Sequence, residues 1–179
     1  MPLNINIKRN IYMLTVLSVG VSLSIVISIF ESMIPAFPML PVGTKLGFAN
    51  VVTMYIAASF GILPALIVAV LKSVFVGFTR GIVAFLMSFS GSVFSTLVTG
   101  FLLRSKRIKM GFVSIGIIGA LIHNLSQIIV ASLLTTTAIF IYLPWIIIVS
   151  VLTGTLTGFS LSVMIPKLEK LNFKDKNLN

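Results

Sequence analysis

Six apolar runs, at residues 11–30, 46–60, 64–78, 82–103, 112–138 and 145–165, alternate with short polar or proline-rich connections along the 179-residue chain. A helix needs about 20 apolar residues to cross the roughly 30 Å hydrocarbon core of a bilayer. Four of the runs reach that length. The other two, 46–60 and 64–78, would each make only about 22 Å of helix, and Gly61-Ile62-Leu63-Pro64 separates them as a turn-like break. They read either as two short spans or as a re-entrant hairpin, and both return the chain to the same side. Between the first and second runs, Pro35, Pro38 and Pro41 forbid a continuous helix and favour a stiff, extended loop. The pattern predicts an all-α polytopic membrane protein of six transmembrane helices forming one domain, residues 1–179.

Composition supports this class and narrows the function. Hydrophobic residues make up 58% of the chain and charged residues 9%, with a mean hydropathy of +1.17. Six spans leave no room for a soluble catalytic domain. With no cysteine, there is no disulfide, thiolate metal site or cysteine nucleophile. The net charge of +10 flanks the apolar runs, where it sets topology and does not mark a nucleic-acid surface. Lys8, Arg9, the Arg104–Lys109 run and Lys167, Lys170, Lys174 and Lys176 fall on one side of a six-span chain, and only Lys45 and Arg80 on the other. The positive-inside rule then makes both termini cytoplasmic and the Pro-rich loop extracytoplasmic.

Polar residues inside the runs carry the chemistry. The fifth run holds His123, Asn124 and Gln127 near its middle, and spacings of three and four put them on much of one helix face. They read as a ligand pocket, or as hydrogen-bonding glue between helices. Lys72 lies halfway along the third run, about 9–12 Å from its nearer end, where an ammonium costs roughly 2.5–3.5 kcal/mol. A functional role or an ion pair with Glu31 explains such a residue. Glu31, Lys45 and Arg80 at the outer mouth, with Asn50, Lys72, His123, Asn124 and Gln127 deeper, would form an outward pocket under a Pro-rich lid. Three cations against one acid suggest an anionic ligand, although interfacial cations also serve lipid headgroups. Gly20, Ser24 and Ser28 form a small-residue stripe on the first helix; close packing within the same chain is its first reading.

Several activities lack their residues. There is no Walker A sequence, dinucleotide-binding glycine pattern or HExxH. One histidine and so few acids build no ordinary metal or acid–base site, and the only aspartate is Asp175 in the tail. The chain is therefore expected to be no enzyme and to need no cofactor. Any active transport would draw on a partner or an ion gradient.

Three segments, Glu31-Ser-x-Ile-Pro35, Gly43-x-Lys45-Leu-Gly-x-Ala-Asn50 and Ala120-x-x-His123-Asn124-x-x-Gln127, together resemble the Gx transporter family, also called heptaprenyl diphosphate synthase component I. The resemblance runs over roughly residues 12–165. That family is similar to the substrate-binding S components of energy-coupling factor (ECF) transporters. The resemblance implies an S-component-like six-helix bundle with an outward pocket capped by the first loop. It also implies docking of the first helix on a T subunit driven by two ATPase subunits. Gly20, Ser24 and Ser28 stand where S components carry an alanine-rich docking motif, with serines in place of alanines. A non-catalytic accessory subunit of prenyl diphosphate synthesis or quinone-dependent electron transfer is the alternative. A carrier working alone on an ion gradient, with Glu31 as its acid, is a third.

Overall fold

The computed structural model describes residues 5–33, 47–105, 110–134 and 141–176. Among the described residues there are six helices and no strand: α1 (Ile5–Met33), α2 (Asn50–Ser59), α3 (Ile62–Arg80), α4 (Ile82–Arg104), α5 (Phe112–Leu134) and α6 (Leu143–Lys176). Five of them are long and apolar enough to cross a membrane. Large apolar side chains such as Leu14, Phe30, Phe94, Ile129 and Leu152 stand exposed on their outer faces, as a lipid-facing surface requires. The protein is a helical membrane bundle. Lys45 and the three loop prolines lie outside the described residues, as do residues 106–109 and the end of the predicted fifth span, 135–138.

The two short runs differ from their expected equal halves. The helix breaks at Phe60–Gly61, with Gly61 at φ +114°, and restarts at Ile62. Pro64 thus falls in the first turn of α3, where a missing N–H leaves no helical bond unmade. It does not act as a breaker. α3 gains residues at both ends and reaches 19, whereas α2 has only 10, about 15 Å. One is a full span and the other half of one.

Consecutive helices α3–α4, α4–α5 and α5–α6 pack as neighbours, while α2 sits inside, touching α1, α3, α4 and α6. Its apolar flank, Val52, Ile56 and Ala57, joins Ala65 and Val68 of α3 in a core cluster. The rings of Tyr12 and Phe60 lie 6.1 Å apart, and the Arg104 guanidinium packs against Gly61. The start of α1, the end of α2, the start of α3 and the end of α4 therefore share one end of the bundle. This places the first turns of α1, which carry Lys8 and Arg9, at the same end as Arg104, as the six-span charge pattern requires.

Small residues set the closest approaches. Gly116 of α5 meets Gly154 and Gly158 of α6 so tightly that a Cβ added at Gly154 would lie 2.5 Å from the Ile117 Cα. This GxxxG seam lets the two backbones touch. On α1 the Gly20-Ser24-Ser28 stripe turns inward: Ser24 and Ser28 are buried, and Gly20 abuts Ile56 and Val68. Within the chain the stripe packs toward α2 and α3, the first of the readings its spacing offers. Shape explains the outcome, because only small residues on α1 leave room for the Ile56 side chain.

Candidate functional site

Helix α2 begins in the middle of the bundle. Asn50, its first residue, accepts a hydrogen bond at Oδ1 from Lys72 Nζ, 3.3 Å away, and Lys72 lies near the middle of α3. Just before α2, Gly47 lies against His123, at the middle of α5: a Cβ added at Gly47 would sit 3.3 Å from the His123 ring. Such an approach needs both the missing side chain and the left-handed φ of +87° that Gly47 adopts. Two spanning helices thus mark the same level, and α2 runs from there to the end that carries Arg104. Its first N–H groups, Asn50 and Val51, bond back to the Gly47 and Phe48 carbonyls, and the positive end of its dipole points into the bundle. Irregular backbone at that depth is tolerated where protein or a cavity surrounds it.

Polar side chains from three other helices gather at this helix start. Glu31, in the last turn of α1, is buried, and its carboxylate accepts the Phe48 backbone N–H. From α5, the Gln127 amide and His123 Nε2 are in hydrogen-bond contact at 2.5 Å. The His123 ring rests against Gly91 of α4, where an added Cβ would come within 2.9 Å of it. Asn50 Nδ2 is buried with no hydrogen-bond partner. The cluster therefore combines a cation, an anion, an imidazole, two amides and a helix N-terminus inside apolar walls, and it can bind and orient a polar group.

Glu31, Asn50, Lys72, His123 and Gln127 come together as a buried group. Asn124 does not join them. Its amide donates to Ser150 of α6 at 2.8 Å, so among His123, Asn124 and Gln127 it is the one that works as interhelical glue. Arg80 stands exposed at the end of α3, eight residues and about 12 Å beyond Lys72. Lys45 is outside the described residues. Sequence reasoning missed Phe48, which contributes only a backbone N–H, and the two glycines Gly47 and Gly91 that seat His123. Gly47 lies inside one of the segments that carry the family resemblance, and that was its only signal. A separate apolar groove of about 360 Å³, lined by Val74, Gly77, Phe78, Ile82 and Phe85, holds none of the cluster residues.

The family model described as Heptaprenyl diphosphate synthase component I matches residues 21–164, about four-fifths of the chain. No curated protein and no solved structure matches the chain.

Proposed function

The chain belongs to the heptaprenyl diphosphate synthase component I family, and from that footing we propose that it is the substrate-binding subunit of an ECF-type, ATP-driven uptake transporter. It captures a small anionic micronutrient from outside the cell and performs no catalysis. The observation that carries this reading is Lys72, an ammonium 3% exposed at mid-depth and bonded to the first residue of a half-length helix. A bundle serving only as an anchor gains nothing from a cation there, because its insertion costs several kcal/mol. Intramembrane ionisable groups that face a bundle interior commonly mark ligand paths, and half-helix N-termini commonly receive anionic groups. The protein sits in the cell membrane with both termini cytoplasmic. Its partners are a T subunit and two ATPase subunits.

The family's name favours a second reading, a non-catalytic accessory subunit of heptaprenyl diphosphate or quinone metabolism. Affinity purification of the tagged protein from native membranes separates the two. Mass spectrometry should find a T subunit with two ATPases and a small molecule released on denaturation. Recovery of a prenyl synthase or quinone enzyme with no released molecule would instead establish the accessory role.

A further inference from the structure

The end of the bundle opposite Arg104 carries a groove that the buried cluster does not use. α3 starts at the Arg104 end, so its last residue, Arg80, and the first of α4, Ile82, stand at the other. There Val74, Gly77 and Phe78 of α3 and Ile82 and Phe85 of α4 line an apolar groove of about 360 Å³. Its shape is set by packing. Gly77 lets α4 close in until an added Cβ would lie 3.0 Å from the Phe85 Cβ. The Phe85 ring is held by Phe89, with centroids 5.6 Å apart, and Phe78, 87% exposed, stands on the other side. On a membrane bundle the medium that meets such a surface is lipid.

Charge says which lipid. α3 has 19 residues, about 29 Å and close to the hydrocarbon thickness. Arg80, its last residue, therefore stands at headgroup level, with Val74 about 9 Å deeper. Arg80 is exposed, and no acid of the chain answers it. From Ser32 to Leu168 there is none, and Glu31 is taken by the Phe48 N–H. Glu169 and Asp175 follow Gly158, which meets Phe112 toward the Arg104 end. α4 begins beside Arg80 with no side-chain cap and no acid in its first turn, so its dipole adds to the same positive sign.

We propose that this corner binds one anionic phospholipid of the bilayer, with its phosphate on Arg80 beside the start of α4 and the upper part of one acyl chain in the groove. A phosphate monoanion balances the guanidinium, whose planar fork suits its oxygens. A zwitterionic lipid adds an ammonium that finds no acid here. Depth agrees as well, because the groove begins at Phe78, within one helical turn of Arg80. A second copy of the chain would serve poorly, since its own lipid-facing helices bring no acid to Arg80. The site and the transporter reading stand or fall separately.

Quenching of tryptophan fluorescence by brominated lipids reads this corner alone. Full-length protein carrying Trp145→Phe and Phe78→Trp is reconstituted in bilayers mixing phosphatidylglycerol and phosphatidylcholine, one of the two brominated in its chains. Phosphatidylglycerol should bind beside position 78 about fivefold more tightly than phosphatidylcholine, the gain one arginine gives at an anionic surface. Arg80→Gln should remove the preference. Val74→Phe, which fills the groove and leaves Arg80 in place, should reduce it. With the reporter moved to the lipid-facing Phe94 as Phe94→Trp, no preference should appear. If Trp145→Phe lowers stability, Trp145 stays and the wild-type quenching curve is subtracted. Equal affinity for the two lipids at position 78 overturns the site. A preference that survives Arg80→Gln, or recurs at position 94, overturns the headgroup assignment, and one unchanged by Val74→Phe overturns the role of the groove. Absence of quenching by either lipid at position 78, with normal quenching at 94, would mean that protein covers the groove, and equally ends the proposal.

Discussion

Helix α5 presents two faces built on opposite terms. Toward α6 it offers Gly116, which lets backbone meet backbone, and Asn124, whose amide is spent on Ser150. Toward α2 and α4 it offers His123 and Gln127, which bond each other; the His123 ring lies against Gly47 and Gly91, near Asn50 and its partner Lys72. His123 and Asn124 are adjacent in sequence, yet a step of 100° around the helix sends one into the cluster and the other into a seam. The seam is complementary and complete. The cluster is crowded with charge and leaves a buried donor over. Both cost desolvation, and only the first recovers it through packing. A polar residue inside a membrane is therefore no sign of a site until its partners are known.

The largest effect should come from the seam. Gly154→Leu forces a side chain where even a Cβ would meet Ile117 backbone at 2.5 Å. Backbone cannot yield as a flexible side chain can, so a loss above about 3 kcal/mol is expected. Size-exclusion chromatography would show the bundle failing to assemble; a monodisperse, stable variant would refute the close-packed seam.

Next comes the cluster. Lys72→Ala removes a charge-assisted donor worth about 1.5–3 kcal/mol to a bound anion, a loss of roughly tenfold to a hundredfold in affinity. Equilibrium binding of the ligand recovered from native membranes reads this directly, and unchanged affinity would remove Lys72 from the site. Gly47→Ala forces a left-handed backbone on alanine at a cost of about 1–2 kcal/mol and crowds the His123 ring. It should lower both Tm and ligand affinity, and a shift in Tm alone would mean that His123 tolerates displacement.

The smallest and most diagnostic change is Asn124→Ala. It loses one interhelical hydrogen bond, worth about 0.6 kcal/mol and at most about 1.7, and should leave ligand affinity intact. A double-mutant cycle with Ser150→Ala should return that same coupling. Weaker ligand binding in Asn124→Ala would merge the two faces and end the contrast between them.

Much of this was legible along the chain. The apolar runs mark all five long helices, α3 to α5 to within a few residues, while α1 begins six residues before its run and α6 ends eleven after, and Gly154-x-x-x-Gly158 announces a close seam. Lys72 and His123 stand out because their chemistry is wrong for hydrocarbon. The length of α2 was not legible, because an apolar run of 15 residues looks alike whether it crosses a membrane or starts at its middle. Gly20-Ser24-Ser28 was equally silent about direction: a small-residue stripe states that something comes close, not whether it belongs to the same chain.

By itself, then, the sequence determined the solvent, the number of apolar segments and the short list of residues too polar for their depth. Those follow from hydropathy summed over neighbours and from 1.5 Å per residue, both local quantities. Only the tertiary structure decided that Asn50 stands at mid-depth beside Lys72, that Glu31 reaches the turn before α2, and that Asn124 belongs to α6. Those are contacts between residues up to 26 positions apart. They depend on how far each helix is turned and slid against its neighbours, and side-chain packing sets this only when all the helices are in place.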